Sequence, residues 1–436
     1  ETLDISYNYD NKNFHTYRIS VDGVETINKL MSSLHKRENH IIFSVLAAKL
    51  LSKDKDNLSI INKKKDFDNT YNLDKHDVRV RLAKEQKVTD TELGNLIKLE
   101  NVSKVAIMLR MKSRISVIIE NNSEVELRID LTSVKQCSDI NKIQKINPNY
   151  ELEIDFNKKK KLSPTKEKEY LNMVLYYITF VKKIIEQGNS IITKQEKDNV
   201  MKLYNKLLYK DENHVSKALY GPQVKSLEAI HIVDDLPNKY SVTDKADGDR
   251  CIGIVTNNKL YLVFANLDIK YSGVEVKNCD NTIIDGEYIY NQTYNKYIYT
   301  TWDILYFKGE NIQNTASLEE RYNKLNEITR DCFNFNFKFV KYDGSFDINK
   351  IEKYYQNDIK SYLKLLIKEL SICKSDTFVC QKYFIFVLGG GDNEIFKYAE
   401  ILWNLYTKTE ASQVPYILDG LIFTPVQQIY TKSLKE

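Results

Sequence analysis

Apolar and polar residues alternate at a period of two in several stretches between Ser6 and Phe156, which marks strands with two unlike faces. Ser6–Val21 reads as strands with a turn at Asp10–Lys12. Val24–Leu34 and Ile41–Leu51 carry apolar residues at helical spacing, and the polar, lysine-rich Ser52–Asn69 reads as a mobile loop. Four further strands are expected at Val78–Ala83, Val105–Ile119, Val125–Val134 and Tyr150–Phe156. Ser163 and Pro164 open a helix as N-cap and first-turn proline, running to about Gln187. Thr193-Lys-Gln-Glu196 is a capping box for a second, to about Tyr209.

After Gly221-Pro222 the pattern changes to strands at Lys239–Thr243, Cys251–Val255, Tyr261–Ala265, Thr282–Tyr290 and Lys296–Tyr306. The strands around Lys245 and Tyr261–Ala265 read as a hairpin. Helices follow near Leu318–Arg330, Ile348–Leu370 and Asn393–Tyr406. Strand runs followed by helix runs give an α+β class in both parts. The expected division is 1–215 and 216–436.

The charges sort by strand. Arg79 and Arg81 share one face of their strand, and Arg110, Lys112 and Arg114 share one face of the next. Glu151, Glu153 and Asp155 share one face of the last, with Leu152, Ile154 and Phe156 opposite. Solvated amphipathic strands would explain alternation alone. Segregation of acids from bases points further: curled into a barrel, such strands would set a divalent cation beside a polyphosphate in one tunnel.

Composition adds limits. Net charge is +4 over 436 residues, with 42% hydrophobic and 28% charged residues, so large cores are available and a basic groove is permitted without being demanded. The six cysteines are scattered without a Cys-x-x-Cys pair, which reads as a reduced compartment with no zinc site. No apolar run reaches membrane-spanning length, so no membrane partner is expected.

The candidate chemistry centres on Ser241–Arg250, Ser-Val-Thr-Asp-Lys-Ala-Asp-Gly-Asp-Arg. Lys245 ends a strand, and Asp247-Gly248 turns the chain. An amine becomes a nucleophile once it loses its proton, which partial burial or a neighbouring cation favours. Thr282–Tyr288 (Thr-Ile-Ile-Asp-Gly-Glu-Tyr), Tyr299–Gly309 with Trp302-Asp303, and Tyr416–Pro425 with Asp419-Gly420-Leu-Ile-Phe follow in order. In this order and spacing they resemble the motif series of covalent nucleotidyltransferases, the mRNA capping guanylyltransferases and ATP-dependent polynucleotide ligases. Flanking residues resemble most the capping enzymes of giant cytoplasmic DNA viruses, the mimivirus type. The three glycines Gly389–Gly391 lack the Lys-Ser/Thr of a phosphate loop and read as a mobile loop before a helix.

The resemblance implies roles. Lys245 would carry GMP covalently. Asp247, Arg250, Glu287, Trp302 and Asp419 would bind GTP: Arg250 and Glu287 at the ribose, Trp302 on the base, Asp419 at a metal. Asp285 and Asp303 read as structural, closing strands and turns. The first half resembles the triphosphate-tunnel RNA triphosphatases that precede the guanylyltransferase in giant-virus enzymes. There Glu151, Glu153 and Asp130 would serve the metal, and Arg110, Lys112 and Arg114 would clamp phosphates. The helices after Ser163 and Thr193 would brace that barrel and join the halves.

Two departures stand beside the likeness. The family has a second Glu-x-Glu strand near its start, and none follows Glu1. Either it precedes this chain or this half is inactive as it stands. The family also closes with two lysines around an apolar residue and an OB domain. Lys432 and Lys435 have another spacing, and the OB domain is expected to be absent from this chain. The implied partners are the 5′ end of nascent mRNA, GTP, Mg2+ or Mn2+, and a methyltransferase domain or subunit. The implied place is the host cytoplasm, in viral factories, or the virion. A self-adenylylating polynucleotide ligase and a non-catalytic RNA-binding assembly module remain the alternatives.

Overall fold

Alternation in the first part produces one antiparallel sheet with a dry face and a charged face. The structure, a computed structural model, describes residues 1–8, 15–34, 42, 45–46, 48–50, 52, 57–74, 77–97, 107–186, 188, 190–236, 240–343, 347–391, 393–410 and 413–430. The chain divides into two units, Glu1–Phe180 and Val181–Glu436. The expected turn at Asp10–Lys12 and the lysines Lys432 and Lys435 lie outside the described residues.

In the first unit, β1 (Thr2–Asn8), β2 (His15–Asp22), helix α1 (Val24–Leu34), β3 (Leu58–Leu73), β4 (Val78–Lys87), helix α2 (Asp90–Ile97), β5 (Ile107–Asn121), β6 (Val125–Cys137) and β7 (Asn149–Lys158) follow in order. The seven strands pair as β4-β3-β2-β1-β5-β6-β7. Among the described residues no pairing joins β7 to β4. Leu3, Ile5, Ile19, Val21, Ile107 and Leu109 turn to one side and bury against Ile27, Leu30 and Leu34 of α1. Ile42, Leu46 and Leu50, from the expected second helix, join the same core.

One expectation changes here. Leu58–Leu73 is a strand, where a mobile loop was expected over Ser52–Asn69. Pairing with β2 and β4 on its two sides supplies the backbone bonds that its polar composition does not advertise. β1 is also present, and it lies at the centre of the sheet between β2 and β5.

Helix α3 (Pro164–Ile185) follows, and in the second unit come α4 (Lys194–Tyr209), β8 (Tyr240–Ala246), β9 (Asp249–Thr256), β10 (Lys259–Phe264), β11 (Ile269–Glu275), β12 (Thr282–Asn291), β13 (Lys296–Phe307) and β14 (Glu310–Asn311). Then come α5 (Leu318–Phe333), α6 (Ile348–Ile372), β15 (Thr377–Gln381), β16 (Phe384–Phe386), α7 (Glu394–Lys408) and β17 (Leu418–Pro425). One sheet runs β11-β10-β9-β12-β13-β14, with β15 parallel to β13. A small sheet runs β16-β8-β17. Both units are α+β, as the element order requires.

The Thr193 capping box forms as read, with Thr193 Oγ1 accepting from Glu196 N at 3.1 Å. The helix it starts, α4, was expected to brace the barrel; its described packing is within the second unit. Its Val200, Tyr204 and Leu208 bury against Ile252, Ile254, Tyr261 and Val263 of the second unit. Cys279 and Cys332 form a disulfide across 53 positions, which the scatter of cysteines concealed. The glycine loop is occupied from within: Leu388, Gly389 and Gly390 all donate backbone N–H to the buried Glu394 carboxylate.

Candidate active site

The strand carrying Lys245 and the strand after it were expected to pair as a hairpin. They do not. β8 pairs with β16 and β17, whereas β9 pairs with β10 and β12. Between Ala246 and Asp249 the chain leaves the small sheet for the large one. Gly248 is required by close approach at this crossing. A Cβ there would lie 2.7 Å from Ile289 Cγ1, 2.9 Å from Glu287 Cγ and 2.9 Å from the Tyr288 carbonyl oxygen.

The crossing puts Lys245 and Asp419 on one sheet and Arg250, Glu287 and Trp302 on the other. Lys245 lies opposite Gly420 on β17, and its Nζ bonds the Asp419 carboxylate. Glu287 on β12 lies opposite Arg250 on β9. The bond to Asp419 holds the Lys245 amine above its ordinary pKa, with Glu287 and Asp247 adding in the same direction. The expectation of a depressed lysine pKa is therefore reversed in this state: burial is slight and the nearest charges are carboxylates. Asp247 is exposed beside it.

Lys382 joins the two sheets and was missed in the sequence. It is fully buried, and its Nζ donates to Glu287 Oε2 and to the Asp244 carbonyl oxygen, each at 3.1 Å. It also lies 5.1 Å from the centre of the Trp302 ring. Trp302 in turn packs on Leu318, Tyr322, Phe384, Phe386 and Val426. The signal lay in Cys380-Gln-Lys-Tyr-Phe, a lone lysine inside an apolar run, which is costly unless paired.

Arg250 and Asp285 form an ion pair, Nη2 to Oδ2 at 2.8 Å, with the carboxylate fully buried. Burial works against the guanidinium charge, but Asp285 outweighs it and pushes the Arg250 pKa up. Asp303 pairs with Arg321 at 2.7 and 2.9 Å, and burial pushes the Asp303 carboxyl up. Each aspartate holds an arginine, the partly exposed Arg250 and the buried Arg321, a more specific task than closing turns.

Asp419 is half-exposed beside Lys245. One carboxylate completed by phosphate oxygens and water is an ordinary donor set for Mg2+, so this side chain fits a nucleotide-borne divalent cation. No group of three or more metal-binding side chains occurs among the described residues.

The first unit gathers its charges on the face opposite the core. Arg110, Lys112 and Arg114 of β5 all point there, and each meets an acid. Arg110 Nη2 contacts both Glu151 oxygens at 2.6 and 2.7 Å, and Lys112 Nζ donates to Asp4 Oδ2 at 2.5 Å. Arg114 lies 3.1 Å from Asp130 and 3.4 Å from Glu153. Asp130 also accepts from Ser116 and Arg128. Arg79 and Arg81 are exposed on β4, and Arg79 donates to Asn72 at 3.4 Å. As arranged, Glu151, Glu153 and Asp130 are committed to arginines and do not fit a bare metal site.

Asp4 escapes the Glu-x-Glu pattern, because Thr2-Leu3-Asp4 offers a single acid. Burial alone would raise the Asp4 carboxyl, but Lys112, Ser20 and Arg18 hold it below its ordinary value.

No family model matches the chain. Over 435 residues, 98% of this chain, it is 30% identical to a protein described as a probable mRNA-capping enzyme of Acanthamoeba polyphaga mimivirus. Among solved structures, the mimivirus capping enzyme triphosphatase matches at 25% identity over 40% of this chain and 74% of its own, with a TM-score of 0.32. A mycobacterial DNA ligase D complexed with ATP matches at 10% identity over 49% of this chain and 56% of its own, with a TM-score of 0.26. Along nearly its whole length the chain is similar to a stretch making up 35% of the mimivirus protein, the same likeness that its Lys-x-Asp-Gly and later motifs carry.

Proposed function

We propose that the second unit is a GTP:RNA guanylyltransferase working through a covalent Lys245–GMP, and that the first unit removes the γ-phosphate from the RNA 5′ end. The observation that carries the reading is the meeting of Lys245 and Asp419 across β8 and β17, beside Glu287 on the neighbouring sheet.

In the first step the neutral Lys245 amine attacks the α-phosphorus of GTP. A P–N bond forms as the amine gives one proton to solvent, the bond to the bridging oxygen breaks, and pyrophosphate leaves. An oxygen of the RNA 5′-diphosphate then attacks the same phosphorus, the P–N bond breaks, and Lys245 takes a proton from solvent and leaves as an amine. Asp419 would hold a divalent cation, Mg2+ or Mn2+, which supplies charge for the phosphoryl oxygens and takes from Lys245 the carboxylate that keeps it protonated. Arg250 and Glu287 face the ribose, and Trp302 offers an aromatic face for the base. Asp247 adds negative charge near the amine.

In the first unit Arg110, Lys112 and Arg114 take the triphosphate. A polyphosphate competes for the arginines, which frees Glu151, Glu153 and Asp130 for the chemistry at the terminal phosphate. The substrate partner is the 5′ end of nascent mRNA, with a methyltransferase acting next. Viral factories in the host cytoplasm, or the virion, are where such transcripts are made.

The test uses the 436-residue chain, and a version extended at both ends, incubated with labelled GTP or ATP and magnesium. A GMP adduct that vanishes in Lys245→Ala is expected. An AMP adduct would move the assignment to a polynucleotide ligase. Absence of any adduct from both versions would leave an RNA-binding assembly module.

A further inference from the structure

Tyr430, just past β17, was not singled out in the sequence, yet its side chain is tied to the nucleotide site from several directions. It is 3% exposed. Its hydroxyl donates to Asp285 Oδ2 at 2.8 Å and receives from Arg250 Nη2 at 3.3 Å. Its ring stacks on Tyr220 at 6.2 Å between centres, and its backbone N–H donates to the Gln313 carbonyl at 2.9 Å. Arg321 holds the same segment by donating to the Gln428 carbonyl at 2.8 Å.

The space around that hydroxyl is closed by Gly221. A Cβ at Gly221 would lie 2.1 Å from the Tyr430 hydroxyl oxygen and 2.6 Å from Arg250 Nη2, and its φ of +112° suits glycine. The segment between α4 and β8, the segment leaving β17 and the β9 arginine therefore converge at one point.

A guanidinium has five N–H groups. Arg250 Nε donates to Asp285 Oδ1, Nη2 donates to Asp285 Oδ2 and to Tyr430, and Nη1 donates to the Pro222 carbonyl. That occupies four and leaves one N–H, on Nη1, without a partner among the described residues. The side chain is about a quarter exposed, at 27%. The Tyr430 hydroxyl thus has two effects: it holds Asp285, and it fixes the plane in which the remaining Arg250 N–H points.

We propose that Tyr430 is a positioning residue for nucleotide binding, locking the Arg250 guanidinium through Asp285 so that its free N–H faces the ligand. This rests on the guanylyltransferase reading. The geometry predicts a loss of nucleotide affinity, with the attack by Lys245 itself left intact.

The experiment measures adduct formation with labelled GTP across a range of GTP concentrations, alongside thermal unfolding of the same samples. Tyr430→Phe is expected to raise the half-saturating GTP concentration about tenfold or more, because it deletes the hydroxyl's bonds to both Asp285 and Arg250. The rate at saturation should stay within about twofold, because Tyr430 does not touch the reacting atoms. Arg250→Lys should raise half-saturation as well, and the double variant should go no further than Arg250→Lys alone, since both act through one group.

Half-saturation unchanged in Tyr430→Phe, with wild type labelling normally, overturns the positioning role alone. Effects that multiply in the double variant overturn it too, as does a loss of folded protein large enough to account for the whole fall in labelling. No adduct in wild type would remove the guanylyltransferase reading and this role with it.

Discussion

Lys382 Nζ lies 3.1 Å from Glu287 Oε2 and 3.7 Å from Asp244 Oδ2, with none of its side chain exposed. One buried cation therefore stands between two carboxylates that belong to different sheets. Asp244 immediately precedes the candidate nucleophile, and Glu287 faces the ribose in the proposed site. Removing the cation leaves the buried Asp244 and the partly buried Glu287 without the cation between them, a costlier change than losing an ordinary surface pair.

Lys382→Met keeps most of the volume and deletes the charge. Its expected effect is a loss of about 3–5 kcal/mol in urea-induced unfolding of the second unit. Unfolding that matches wild type would show that water, and not Lys382, satisfies these carboxylates.

Gly248→Ala tests the crossing between sheets. The added methyl meets Ile289, Tyr288 and Glu287 at under 3.0 Å, two of them backbone or branched carbon that yields little. The expected cost is about 1–3 kcal/mol of stability with a matching fall in GMP labelling, because Lys245 and Glu287 flank the displaced segment. Normal labelling by a stable Gly248→Ala protein would contradict the close approach.

In the first unit, Lys112 and Asp4 form an ion pair with side chains 9% and 4% exposed. Lys112→Ala should destabilise that unit by about 3–5 kcal/mol, and pairing Lys112→Met with Asp4→Asn should recover much of it. Denaturation curves of the single and double variants read this directly, and additive losses would refute the pairing.

Glu196 gives a pH prediction. Burial alone would raise its carboxyl, but bonds from Lys259, Thr193 and Tyr261 bring it down from 4.5 to about 2. A carboxyl whose folded pKa is depressed stabilises the fold above its unfolded pKa, and that contribution is lost as pH falls through the folded value. Thermal stability of the second unit should therefore fall between about pH 4.5 and pH 2, and Glu196→Gln should flatten that part of the profile. An identical slope in the variant would assign the acid sensitivity elsewhere.

Much of this architecture could be read from periodicity. The alternation of Arg110, Lys112 and Arg114 placed them on one face because a pleat has a period of two, and the helices from Leu318 and Ile348 begin where their apolar spacing does. Strand Leu58–Leu73 was hidden because its lysines and asparagines satisfy no local pattern; its neighbours on both sides define it. The hairpin reading of Asp247-Gly248 failed for a related reason. Asp-Gly is a turn signal on its own, but here glycine is needed for contact with a strand distant in sequence. Lys382, Asp4 and Tyr430 have meaning only through partners far along the chain, which spacing along a single sequence does not reveal. The disulfide between Cys279 and Cys332 escaped for the same reason.

The small sheet β16-β8-β17 has a consequence for synthesis. Lys245 is made before Asp419, and β17 is the last of this sheet's three strands to be synthesised. While the ribosome is still adding the residues between them, the amine has neither its carboxylate nor the pairing that fixes its strand. A nascent or prematurely terminated chain would carry Lys245 without its carboxylate partner, so the proposed site would assemble only once β17 docks.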